Sequence, residues 1–179
     1  MKAAAREMET LREGADQALP RTNVRFADRR KLAFLLPELH PSDRILDVGC
    51  GGMWLTRELR SRGFDCIGID VQPPADIVAN IKDHHFEKRL FDVVIALEML
   101  EHEDCADEIR RILEPGGTLI VSTPEPRWDW LLWLGESIGV CQPRVTPHRN
   151  LFRLSDLPFR LVRRASLLGV IQLGVYRNE

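Results

Sequence analysis

Arg44-Ile45-Leu46-Asp47-Val48 is a short apolar run, Gly49-Cys50-Gly51-Gly52 follows it directly, and Trp54-Leu55-Thr56-Arg57-Glu58-Leu59-Arg60 then takes up a helical spacing, with Leu55 and Leu59 four apart. A strand that passes through glycines into a helix is the opening βα unit of a parallel sheet. The glycines allow backbone angles and close approaches that side chains forbid. Gly63 supplies the helix stop.

The same alternation continues downstream. Residues 64–70, 76–80 and 91–97 read as a second, third and fourth strand. Residues 103–113 read as a helix with Ile109, Ile112 and Leu113 on one face; Pro115-Gly116-Gly117 stops it, and Thr118–Ser122 forms a fifth strand. Residues 159–177 hold two apolar runs parted by little more than Ser166–Gly169, a link that suits an antiparallel hairpin and is too short for a crossover. Upstream, residues 3–19 favour helix, and a second helix over about 26–36 places Phe26, Leu32, Leu35 and Leu36 on its apolar side. The expected fold class is α/β: a Rossmann-like, doubly wound, seven-stranded sheet, mostly parallel, with a C-terminal antiparallel hairpin. Residues 1–40 are expected to form an N-terminal helical cap on a domain of residues 41–179.

At 179 residues, 44% hydrophobic and 29% charged, the chain suits one soluble domain. The net charge of −2 gives no reason to expect a nucleic-acid partner. Charge is nonetheless uneven: residues 65–108 carry 12 acidic and 3 basic side chains, whereas residues 141–179 carry 7 arginines and only Asp156 and Glu179 as acids. Cys50, Cys66, Cys105 and Cys141 form no C-x-x-C pair and no zinc spacing, so no metal site is read and the thiols are expected to be reduced in a cytoplasmic protein. The first residues lack the apolar core of a signal peptide, and no apolar run reaches membrane-spanning length.

Asp47 and the glycines constrain the ligand. In an open parallel sheet, ligands lie beyond the carboxyl ends of the strands at the topological switch point. Asp70 closes the second strand, where a carboxylate can accept hydrogen bonds from two ribose hydroxyls. A dinucleotide fingerprint would need glycine at position 54, where Trp54 stands, and an acidic residue before the glycines opposes a pyrophosphate. S-adenosylmethionine (SAM), with an ammonium, a sulfonium and no phosphate, fits better than NAD.

The sequence resembles the class I SAM-dependent methyltransferase family, in its small-molecule group. The resemblance spans residues 43–124 and rests on DRILDVGCGG, Asp70, FDVVIALEMLEH at 91–102 and RRILEPGGTLIVSTPEP at 110–126, in order and at family-like spacing. A looser likeness covers His148–Phe152 and Ser155–Leu157. This chain departs from the pattern with Met53 at a usual glycine, Asn80 at a usual Asp, and a helix before the sixth strand cut to a few residues around Leu157. The resemblance implies a cofactor site of Asp47, Gly49, Cys50, Gly51, Asp70, Val71, Asn80, Ile81, Glu98 and Met99. In it Asp47 would lie near the SAM amino group, Gly49 and Gly51 along the methionine, Asp70 on the ribose, Asn80 and Ile81 at the adenine, and Glu98 and Met99 near the sulfonium.

Methyl transfer needs positioning above all, and a general base only where the acceptor arrives protonated. His102 and His148 are the candidates for that base; His102 can equally border the following helix. Trp128, Trp130 and Trp133, near Arg144, Arg149 and Arg153, fall in residues 126–157, which the family uses as a substrate-side cap. They suggest a small-molecule acceptor, anionic and partly apolar, or alternatively core packing or a homodimer contact through residues 128–134. A SAM-binding regulatory or pseudoenzyme module is the alternative function.

Overall fold

The computed structural model describes residues 26–100, 104–125 and 153–179. Its elements are α1 (Phe26–Leu35), β1 (Arg44–Val48), α2 (Trp54–Ser61), β2 (Asp65–Asp70), β3 (Ile77–Val78), β4 (Phe91–Leu97), α3 (Ala106–Ile112), β5 (Leu113–Pro124), β6 (Arg160–Leu167) and β7 (Ile171–Arg177). The strands form one seven-stranded sheet in the order β3-β2-β1-β4-β5-β7-β6. β3 to β5 pair in parallel, and β7 enters antiparallel between β5 and β6. The expected fold class is therefore what the chain adopts.

Successive strand residues point to opposite faces, and β1 and β4 divide their side chains accordingly. Ile45, Val93 and Ile95 pack with Leu32, Leu35, Leu55 and Leu59 of α1 and α2. Leu46, Val48, Val94 and Ala96 pack on the other face with Ile109 and Ile112 of α3. Both faces are thus covered, which explains why these strands read as unbroken apolar runs. The β6–β7 hairpin turns at Leu168 and Gly169, both at positive φ (53° and 73°), with the Val170 N–H donating to the Leu167 carbonyl at 3.1 Å. Three residues, 168–170, thus join the two strands, and positive φ at both central positions gives the turn the twist of the flanking strands.

Four expectations need correction. Phe26 does not join the apolar side of α1; it is 60% exposed beneath the Arg30 guanidinium, while Lys31 is buried in its stead. β3 shrinks to two residues: at its far end Asn80 opens a turn, its Oδ1 accepting the Lys82 N–H and its carbonyl the Asp83 and His84 N–H groups, and before its start the Asp76 carboxylate is bound by the Gly68 N–H and the Arg60 guanidinium. Asp104 and Cys105 precede α3, which begins at Ala106. Pro115-Gly116-Gly117 does not stop that helix: α3 ends at Ile112 and β5 starts at Leu113, with the glycines forming an irregularity in the β4–β5 register. Before β6 the shortened helix is a single turn, Leu154–Asp156.

Candidate functional site

β1 lies between β2 and β4, so the chain reverses direction across the sheet at the carboxyl end of β1, and the glycine turn sits at that crevice. Gly49 (φ 70°) and Gly51 (φ 49°) both use the left-handed region. The N–H groups of Gly49 and Cys50 donate to the Ile69 carbonyl at 2.8 and 3.2 Å, stitching the turn to the end of β2. A Cβ on Gly49 would stand 2.6 Å from Met99 Cγ, so Met99 packs directly on the turn. Around Gly51 and Gly52 a Cβ would meet nothing within 4 Å, which marks the open side of the cradle. Met53 completes the turn as the residue before α2, itself left-handed at φ 59°.

Asp70 faces this open side. Its Oδ2 accepts the Gly51 N–H at 2.9 Å and its Oδ1 accepts the Gln72 N–H at 3.0 Å. Each carboxylate oxygen retains acceptor capacity beyond one such bond. Val71 beside it is 62% exposed. The Asp70 carbonyl accepts the Ala79 N–H at 2.9 Å, which brings Asn80 and Ile81 alongside. Asn80 Oδ1 accepts the Lys82 N–H at 2.9 Å within its own turn, and the Ile81 side chain is buried in the core.

Two more expected ligand residues turn inward. Asp47 is buried beneath α2, where its Oδ2 accepts the Thr56 hydroxyl at 2.7 Å. Burial pushes its carboxyl up to about 7, against the lowering effect of the Thr56 bond and with Asp70 and Asp76 adding repulsion. The Cys50 thiol is buried against Gly68, and burial first, then the Asp47 charge, drives it far above its ordinary range. Only the backbone of Cys50 is placed to line the cleft.

At the end of β4, Glu98 is left-handed (φ 54°) without being glycine. Its N–H donates to the Ser122 carbonyl at 2.8 Å, and its Oε1 accepts the Lys31 ammonium at 2.5 Å. Lys31 is the residue that sequence reading missed. The available signal was its position four before Leu35, hence on the buried face of α1.

Beyond β4 lies a cavity of about 510 Å³. Leu100, Leu157 and Pro158 line it together with Asp104, Asp107 and Asp156. His102, His148, Trp128, Trp130, Trp133, Arg144 and Arg149 lie outside the described residues, while Arg153 is exposed before the 154–156 turn. Among the described residues no group of three or more His, Cys, Asp or Glu is placed to hold a metal ion, and no helix is long and apolar enough to cross a membrane.

A methyltransferase domain family model matches residues 21–163. A ubiquinone biosynthesis O-methyltransferase of Cereibacter sphaeroides is 29% identical over 160 residues, covering 75% of this chain and 64% of that protein. The protein of the same name from Azorhizobium caulinodans is 36% identical over 100 residues, covering 45% and 40%. The chain thus spans less than two thirds of these relatives' length. Among solved structures, a protein from Pyrococcus horikoshii superimposes with a TM-score of 0.67 at 21% identity, covering 89% of this chain and 95% of its own. That likeness is one of fold.

Proposed function

The chain belongs to the class I SAM-dependent methyltransferase family, and on that premise we propose that it transfers the methyl group of SAM to a hydroxyl of a small, partly apolar acceptor. The observation that carries the cofactor half is the Asp70 carboxylate held over the Gly51 N–H at the switch point, beside an open cradle. A carboxylate there suits a ligand with vicinal ribose hydroxyls, and Trp54, at the position where a dinucleotide fingerprint needs glycine, argues against a pyrophosphate. Asp70 would accept from the ribose hydroxyls. The backbone of residues 49–51 would run along the methionine, with Val71, Asn80 and the backbone of Ile81 at the adenine and Glu98 and Met99 near the sulfur. The buried Asp47 acts from beneath, as a partner of Thr56 that anchors the start of α2 under the cradle.

Bound there, SAM supplies a methyl carbon activated by its sulfonium. The protein's part is to align an acceptor with that carbon and keep water out. The O-methyltransferase relatives favour an oxygen acceptor, and the apolar wall of Leu100, Leu157 and Pro158 favours an apolar body. For the acceptor's charge, Arg153 and the arginines of residues 144–149 favour an anion, while the three aspartates of the cavity oppose one. His102 and His148 remain the proposed bases for removing the hydroxyl proton.

Calorimetry with SAM, S-adenosylhomocysteine and NAD tests the cofactor. SAM and S-adenosylhomocysteine are expected to bind and NAD not to; tighter binding of NAD overturns the reading. Conversion of SAM to S-adenosylhomocysteine is then followed with matched hydroxyl acceptors, with and without a carboxylate or phosphate. Binding with no turnover on any acceptor would instead favour a regulatory module.

A further inference from the structure

α1 carries three consecutive cations, Arg29, Arg30 and Lys31, and the structure treats them differently. Arg29 and Arg30 are exposed, whereas Lys31 is only 6% exposed and packs on the face that also buries Leu32 and Leu35. A buried ammonium needs an anion, and this one reaches 67 residues along the chain to Glu98 Oε1 at 2.5 Å. Glu98 itself needs no such partner for solvation, since its side chain is 41% exposed. Thus the pair matters to the glutamate for placement, not for neutralisation.

What it places is the turn after β4. Glu98 holds a left-handed backbone that a non-glycine residue adopts only under constraint. Two attachments impose it: the N–H to the Ser122 carbonyl, and the carboxylate to Lys31. The next residue, Met99, packs against the Cα of Gly49 in the cradle. A continuous path therefore runs from α1 through Lys31, Glu98 and Met99 to the glycine turn. We propose that Lys31 is a positioning residue of the cofactor site: its buried ammonium fixes Glu98, and through Glu98 and Met99 it sets the shape of the wall facing the cofactor's sulfur. The proposal rests on the reading of this crevice as a SAM site.

The test is S-adenosylhomocysteine calorimetry on the full chain, with thermal unfolding alongside, for Lys31→Met, Lys31→Arg, Glu98→Gln and the double variant Lys31→Met/Glu98→Gln. Lys31→Met removes the buried charge itself and leaves a glutamate that water can solvate, so its midpoint should stay close to wild type. Its dissociation constant should rise about tenfold, the loss of one oriented charge-assisted contact. Lys31→Arg should recover most of that loss. Because Lys31 acts through Glu98, the double variant should bind no worse than Glu98→Gln alone. Wild-type affinity in Lys31→Met, independent additive losses in the double variant, or a Lys31→Met chain that fails to fold would each overturn the lysine's role. A wild-type chain that does not bind S-adenosylhomocysteine overturns the cofactor reading itself, and the two failures are distinct.

Discussion

The Asp70 carboxylate accepts the Gly51 N–H at 2.9 Å, so the residue that ends β2 holds the glycine turn that follows β1. One side chain both shapes the cradle and faces its open side. The second oxygen is engaged by the Gln72 N–H at 3.0 Å, which fixes the carboxylate plane. Such prior fixing lowers the ordering cost of binding a ligand.

Asp70→Ala removes the clamp and the acceptor together. A charge-assisted hydrogen bond is worth about 1.5–3 kcal/mol. S-adenosylhomocysteine affinity should therefore fall roughly ten- to a hundredfold. The midpoint of thermal unfolding should shift little, because the carboxylate lies at a partly exposed edge. An unchanged dissociation constant by calorimetry would remove Asp70 from the site.

The two glycines of the cradle should fail differently. At Gly49 a methyl group would collide with Met99 Cγ and the backbone is left-handed, so Gly49→Ala combines strain with overpacking, at about 2–4 kcal/mol of stability. At Gly51 the space is open, so Gly51→Ala pays only the left-handed backbone cost, about 1–2 kcal/mol. Gly51→Val adds a branched side chain on the open face, so it should abolish binding with a native circular dichroism spectrum. Normal affinity in a folded Gly51→Val would show that the turn is not the cradle.

Met53 sits where the family has glycine, and its φ of 59° shows why glycine suits the place. Glycine would relieve about 1–2 kcal/mol of left-handed strain. Yet Met53 is only 4% exposed, and truncating a buried methionine costs about 2–5 kcal/mol. The burial term is the larger, so Met53→Gly should destabilise the chain by about 1–3 kcal/mol, measured by urea unfolding. A more stable variant would mean that strain dominates.

The sheet was legible because its central strands are buried on both faces and bounded by glycine, proline or aspartate. Phe91–Leu97 emerges with the bounds expected of it. β3 was not, since its extent depends on the turn that opens at Asn80 and on where the Asp76 carboxylate finds partners, which lie on β2 and α2. The glycine turn and Asp70 were visible as a spacing, and the structure brings them into hydrogen bond. The inward turn of Cys50 was hidden because adjacent residues of a tight turn face opposite ways, and residue type does not tell which faces the core. Lys31 was hidden among three cations, though the register of Leu35 already placed it on the buried side.

Asp47 makes the fold sensitive to pH in a direction opposite to that of most carboxylates. Its carboxyl titrates at about 7 in the folded chain, raised chiefly by burial, against an ordinary value of 3.8. Between those two values the folded chain holds a proton that the unfolded chain has released. Stability contributed by this group is therefore greatest at the acidic end of that interval, falls as pH rises, and levels off above about pH 7. The slope cannot exceed about 1.4 kcal/mol per pH unit for one proton. Asp47→Asn keeps an oxygen to accept the Thr56 hydroxyl, bonded at 2.7 Å in the native chain, and removes the titration. The variant should thus gain on the wild type as the solution is taken from about pH 5 to pH 8, and be the more stable of the two at the alkaline end. Thermal unfolding of both chains across that range measures the difference directly. Midpoints that run parallel from about pH 5 to pH 8 would show that the Asp47 carboxyl is not raised in the folded chain, because an unshifted or a lowered carboxyl is already ionised in both states there.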